Sequence, residues 1–133
     1  MMLFSRCTNL TSVTIPEKVT LIDSGVFYNC TGLTSVTFHG SVETIGVSAF
    51  NGCIGLTSIE LPSTITTIGK WAFSGCTGLI KILIPNLVET IGAEAFSGCS
   101  SLTFYTDFKE GTEIYNILQS YGQHIKQGSA FYD

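Results

Sequence analysis

The chain has 133 residues, 44% of them apolar, with 14 glycines and only 3 prolines, which suits one folded domain with a real core and excludes a disordered polar chain. Charged residues make up only 12%, and ten acids against six bases leave a net charge of -4, so a polyanion-binding surface is excluded as the default. Lys81, Pro85 and Glu89 break the most apolar stretch and Met1 to Leu10 lacks the basic start and cleavage site of a signal peptide, so neither membrane insertion nor a leader is expected.

From the N-terminus the chain is periodic. Phe4, Cys7 and Leu10 open a pattern that returns every 23 residues, as Cys7, Cys30, Cys53, Cys76 and Cys99. The same step carries Phe4, Phe27, Phe50, Phe73 and Phe96, then Leu10, Leu33, Leu56, Leu79 and Leu102, then Ile22, Ile45, Ile68, Ile91 and Ile114. Further columns are Val13, Val36, Ile59 and Ile82; Ile15, Phe38, Leu61 and Ile84; Val19, Val42, Ile65 and Val88; and Val26, Ala49, Ala72 and Ala95. So short a unit cannot close a core alone, and its apolar face has to be covered by the next copy; the result is a stack of coils, a solenoid.

Within each coil, Leu10-x-x-Val13-x-Ile15 alternates apolar residues with Ser and Thr, the chemistry of a strand, and Pro16, Pro62 and Pro85 end it. Strands of successive coils are expected to pair in parallel. The second face, Val42 to Gly46, has room for a short strand before Gly46, Gly69 and Gly92 permit a tight corner. The third side, Ala93 to Cys99, is expected to be a short helical turn with Ala95 and Phe96 inward. The fold class is therefore a repeat solenoid, mainly β with short helical turns, over residues 1–104 and about four and a half repeats.

From Tyr105 the period fades, and 105–133 is expected to cap the last coil. Thr112 to Tyr121 reads as a helix with Ile114, Leu118 and Tyr121 on one stripe and Gly122 as its stop; His124 to Asp133 adds a final strand or tail. The first coil lacks such cover, because Phe4 and Cys7 are already in register with no strand before them. The expectation is a fragment of a longer protein, or a first coil that pairs with something, making Leu3, Phe4, Cys7 and Leu10 candidate self-association residues. The alternative is that Met1 to Arg6 fold over the end.

One cysteine per coil could form disulfides, hold a metal, serve redox chemistry or pack as a ladder of thiols. Rungs about 4.8 Å apart lie within disulfide reach, but five is an odd number and such bridges would close only short loops. Paired metal ligands stand two to four residues apart, and a straight column is not a tetrahedron. Free cysteine packs as a small hydrophobe, so the thiol ladder is the reading adopted. His39 and His124 accompany no Gly-x-Ser-x-Gly elbow, Gly69-Lys70 is followed by Trp71 rather than Ser or Thr, and Glu43, Glu60, Glu89 and Glu94 fall in different columns. No catalytic, cofactor or metal site is expected, and the chain is not read as an enzyme. Asn9-Leu10-Thr11 and Asn29-Cys30-Thr31 match glycosylation sequons but overlap the repeat consensus.

The residues between the inward ones face outward, giving the columns Ser12, Ser35, Ser58, Lys81 and Thr14, Thr37, Glu60, Leu83. Such a face suits weak, repeated contacts with an extended partner, or simply keeps the strands soluble. Ile80, Leu83 and Leu87 replace the hydroxyl residues of other coils, and Trp71 takes the slot of Gly25, Ser48 and Glu94, where it offers a large area at little rotamer cost. The eight column residues are the candidate partner-binding residues together with Trp71, which belongs to a different side of the coil from Leu83 and so need not form one patch with it.

The unit resembles the BspA-like, or Treponema pallidum type, leucine-rich repeat family, whose repeats have the form L-x-x-I-x-[IL]-P-x-x-[VI]-x-x-I-G-x-x-A-F-x-x-C. Leu56, Ile59, Leu61, Pro62, Ile65, Ile68, Gly69, Ala72, Phe73 and Cys76 occupy those positions, and the resemblance covers about residues 3–104. His39 departs from the proline column, Asp23 from the glycine column and Val26 from the alanine column. The resemblance implies a right-handed leucine-rich repeat coil, no enzymatic activity, and a cell-surface or secreted setting in which the family mediates adhesion. The functional expectation is a non-enzymatic module binding a protein or glycan partner, without nucleic acid or cofactor, as part of a surface adhesin. The alternatives are a structural spacer and a repeat domain that self-assembles into a homo-oligomer through its N-terminal coil.

Overall fold

The 23-residue period becomes a coil with three sides. In the computed structural model, which describes residues 3–133, the first four coils contribute two strands each: β1 (Ser12–Ile15) and β2 (Leu21–Ile22), β3 (Ser35–Phe38) and β4 (Thr44–Ile45), β5 (Ser58–Ile59) and β6 (Thr67–Ile68), β7 (Lys81–Ile84) and β8 (Thr90–Ile91). The fifth carries β9 (Thr103–Thr106) and helix α1 (Glu113–Gln119), and the chain ends in β10 (His124–Gln127) and a 3-10 turn (Gly128–Tyr132). Every strand pairing is parallel, and the repeat columns align as rungs: Val13 lies beside Val36, and Ile22, Ile45, Ile68 and Ile91 follow one another on the second side.

The second side is one unbroken sheet in the order β2-β4-β6-β8, while the first side is a β1-β3 pair and a β5-β7-β9-β10 sheet with no hydrogen-bonded pairing between β3 and β5. Residue 105, the expected start of the cap, falls inside β9, and β10 extends the same sheet with His124 beside Thr103. Ile114 keeps the 23-residue step but sits on α1, buried with Leu118, where the helix packs on β8 in place of a further second-side strand. Thr112 caps that helix by accepting from the Tyr115 N–H at 3.3 Å.

The third side holds no helical run. Single turns such as Cys53 N–H to Phe50 C=O (3.2 Å) and Leu56 N–H to Cys53 C=O (3.2 Å) are punctuated by left-handed residues, φ being 57° at Ser48, 60° at Trp71 and 56° at Glu94. These left-handed breaks stop each turn after one hydrogen bond and keep the chain in step with its neighbours. The column of Gly46, Gly69 and Gly92 serves close approach: a Cβ at Gly69 would stand 2.8 Å from the Gly46 carbonyl carbon, and at Gly92 2.3 Å from the Lys70 nitrogen. Each such clash is with the preceding coil. Asp23 stands in this column in the first coil, where no described coil precedes it.

The core is a row of stacked rings. Phe4, Phe27, Phe50, Phe73 and Phe96 follow at centroid distances of 5.7, 5.3, 5.3 and 5.5 Å, their planes nearly parallel throughout. Phe104 and Tyr121 meet Phe96 edge-on at 5.0 and 5.8 Å and end the row. Phe73 has rings on both sides and no exposed surface. Phe73→Ala is expected to lower the unfolding free energy by about 3–5 kcal/mol in denaturant titrations, whereas Ser58→Ala on the exposed face is expected to stay within about 0.5 kcal/mol.

Candidate partner-binding surfaces

The first side brings Ser12, Thr14, Ser35, Thr37, Ser58 and Glu60 to one exposed outer face, because the pleat sends alternate residues of β1, β3 and β5 away from the core. Lys81 and Leu83 continue the columns but are half-buried. The cause is the C-terminal 3-10 turn, which folds back over the outer face of the last strands. Lys81 Nζ donates to the Phe131 carbonyl and lies 4.6 Å from the centre of the Phe131 ring, and Tyr105 meets that ring edge-on at 5.7 Å. Phe131 is only 5% exposed, so the chain's own tail already occupies this end of the face. Sequence reasoning missed Phe131 and Tyr132; the available signal was a pair of aromatic residues closing an otherwise polar segment.

Trp71 does not join this face. It lies on a third-side turn, its indole N–H donating to Glu94 Oε2 at 3.1 Å and its ring 4.2 Å from Lys70 Nζ. A left-handed φ and two local charged partners make it part of the rim of the third and fourth coils.

The N-terminal end is the second surface. Phe4 and Arg6 run beside the second coil through Phe4 N–H to Val26 C=O (2.8 Å) and Arg6 N–H to Tyr28 C=O (2.6 Å), in register rather than folded across the end; Met1 and Met2 lie outside the described residues. A cleft of about 470 Å³ opens there, lined almost wholly by apolar side chains including Val13, Val19 and Val26. Leu3 is 65% exposed and Leu21 49%, while Leu10 and Cys7 are half-buried. Of the expected self-association residues, Leu3 and Phe4 line the cleft; sequence reasoning missed Leu21, which sits in a column that is polar in later coils.

The cysteines form a thiol ladder, and the geometry explains the residue type. Cys30, Cys53, Cys76 and Cys99 are buried, and each thiol donates to the carbonyl of Phe4, Phe27, Phe50 or Phe73 in the preceding coil, at 3.0 to 3.2 Å. The side chain has to be small, apolar enough for the core and able to donate one hydrogen bond, which describes cysteine. Burial pushes Cys53 up to about 12 and Cys99 up to about 11, and moves Cys30 and Cys76 in the same direction. His39 and His124 are exposed, and among the described residues no three His, Cys, Asp or Glu side chains come together as a metal site. Among the described residues no helix is long and apolar enough to cross a membrane.

Stacked coils, a parallel strand from every coil and a capping helix define a leucine-rich repeat solenoid. Residues 1–125 match the BspA type leucine rich repeat region in six copies, and the chain belongs to that family. It is similar to a leucine-rich repeat protein from Bacteroides ovatus, with a TM-score of 0.81 and 33% identity over 95% of this chain and 32% of that one. A leucine-rich repeat protein of T. pallidum matches with a TM-score of 0.52 and 27% identity, over 72% of this chain and 58% of the other. A leucine rich cell surface protein from Faecalibacterium prausnitzii superimposes more loosely, at 0.43 with 29% identity over 79% and 42% of the two chains. The chain thus spans about a third of the Bacteroides protein. No curated protein matches it significantly.

The raised thiol pKa values have a sign. Because burial disfavours the thiolate, the folded thiol keeps its proton where the unfolded one ionises, so folding stability is unaffected below the ordinary thiol pKa of 9.0 and falls as pH rises from there toward about 12. Denaturation midpoints are expected to be level up to about pH 8 and to fall from about pH 9 upward. In native protein a thiol reagent is expected to modify Cys7 quickly and the four buried cysteines only on unfolding.

Proposed function

We propose that the chain is a non-enzymatic binding module whose outer sheet face contacts a protein or glycan partner on an exported, surface-exposed protein. The observation that carries this reading is the exposed hydroxyl-rich face running across β1, β3 and β5 without interruption by a bulky or charged side chain until Glu60. Short Ser and Thr side chains lose little rotamer freedom on docking, and repetition along the stack multiplies weak contacts. The surface setting rests on the family.

The module is tested on an array of matrix proteins and oligosaccharides with the wild type and with a variant carrying Ser35→Glu, Thr37→Glu, Glu60→Lys and Leu83→Ser. A binder gives array signals that fall at least about tenfold in the variant, at unchanged circular dichroism. A spacer gives no signal that these changes alter.

A second reading, self-assembly, is favoured by the bare apolar cleft at the N-terminal end, where Leu3, Phe4 and Leu21 remain exposed. Light scattering over a wide concentration range is expected to show a dimer or larger species that Leu3→Glu with Leu21→Glu returns to monomer. A monomer at every concentration removes this reading and leaves the sheet face.

A further inference from the structure

The third coil is where the first side departs from its own repeat. β5 is two residues long and pairs with β7 only at Ser58 and Ile59, whereas β3 and β7 are four residues each. Past Ile59 the chain at Glu60 and Leu61 leaves the ladder, and β3 has no hydrogen-bonded partner on that side. The sheet opens there into a groove of about 760 Å³ that crosses from the second coil to the fifth, with Phe38, Pro62, Leu83 and Leu87 as apolar walls and Tyr132 of the C-terminal turn at its edge. Leu87 is 60% and Tyr132 64% exposed, large apolar surfaces left bare on either side.

Two charges line the groove, Glu60 and Asp107, and both are negative. Each is oriented by a neutral donor: the Tyr132 hydroxyl reaches Glu60 Oε2 at 3.5 Å, and the Gly128 N–H donates to Asp107 Oδ1 at 3.2 Å. Neither contact supplies a positive charge. The base nearest in the repeat columns, Lys81, is engaged by the carbonyl and ring of Phe131 and does not line the groove. The net charge of -4 adds to the attraction for a cation.

We propose that this groove binds an extended segment of a partner protein whose lysine or arginine side chains meet Glu60 and Asp107, one at each, while their apolar neighbours lie on Leu83, Leu87 and Pro62. The proposal rests on the binding-module reading and names its partner. Charge complementarity selects the cationic side chain, and the apolar walls select a peptide over a sugar, whose hydroxyls would be left without partners on Leu83, Leu87 and Pro62. An anionic glycan would be repelled by the two carboxylates.

The test is an NMR titration of the isotope-labelled chain with a capped Leu-Arg-Leu-Arg-Leu peptide and with the same peptide carrying citrulline for arginine. Expected are shifts centred on Glu60, Ser63, Leu83, Asn86 and Asp107, with affinity falling about tenfold for citrulline and about tenfold for Glu60→Gln with Asp107→Asn, variants that keep the hydrogen-bond acceptors. Groove shifts that survive both changes overturn the role of charge. Shifts confined to Ser12, Thr14, Ser35 and Ser58, or none at all, overturn the groove as a peptide site, and array signals lost in a Ser12→Glu with Ser58→Glu variant, whose changes lie outside the groove, keep the sheet-face reading in that case. Groove shifts with cellohexaose and none with the peptide overturn the partner class.

Discussion

The structure depends on each coil being finished by its neighbour. The clearest instance is the phenylalanine of the third side: the Phe50 N–H donates to Ala72 of the next coil at 2.8 Å, and its carbonyl accepts from the Cys76 thiol of that coil at 3.1 Å. Its ring is stacked between Phe27 and Phe73. Backbone polarity and apolar area are thus satisfied by the same adjacent unit, so no coil is stable alone and none can shift register without breaking several columns at once.

That dependence makes the ends special. At the C-terminus α1 takes the second side, Tyr121 closes the ring stack, and β10 pairs along β9. The Gly128–Tyr132 turn then covers part of the outer face, so the tail that follows the cap sets how much of the sheet is accessible. At the other end the same logic leaves Leu3, Phe4 and Leu21 at the surface. Among the described residues the two ends therefore differ, one covered by the aromatic tail and one exposing apolar side chains.

Much of the placement of the candidate face was legible. Ser12, Thr14, Ser35 and Thr37 were placed outward by alternation alone, because a strand offers a side chain only two directions. Lys81 and Leu83 obeyed the same alternation yet ended half-buried, since what covers them comes from a segment some fifty residues away for Lys81 and Phe131, a distance periodicity does not reach. The repeat column alone puts Trp71 on a different side of the coil from Leu83, as the structure has it; the left-handed backbone of that column is what a Trp gives no sign of in sequence. The groove arises from the shortness of β5, although Leu56, Ile59 and Leu61 match the repeat as well as their counterparts do.

The sequence by itself determined the solenoid, its 23-residue step, the inward columns and the thiol ladder, because a repeat that must bury one stripe against its copy admits few arrangements. Only the tertiary structure decided that the third side is a series of broken turns, that the glycine column marks contact between coils, and that the last strand and aromatic turn return to the sheet. Those outcomes depend on backbone approach between coils and on the place a non-repeating tail finds against them, and neither leaves a period in the chain.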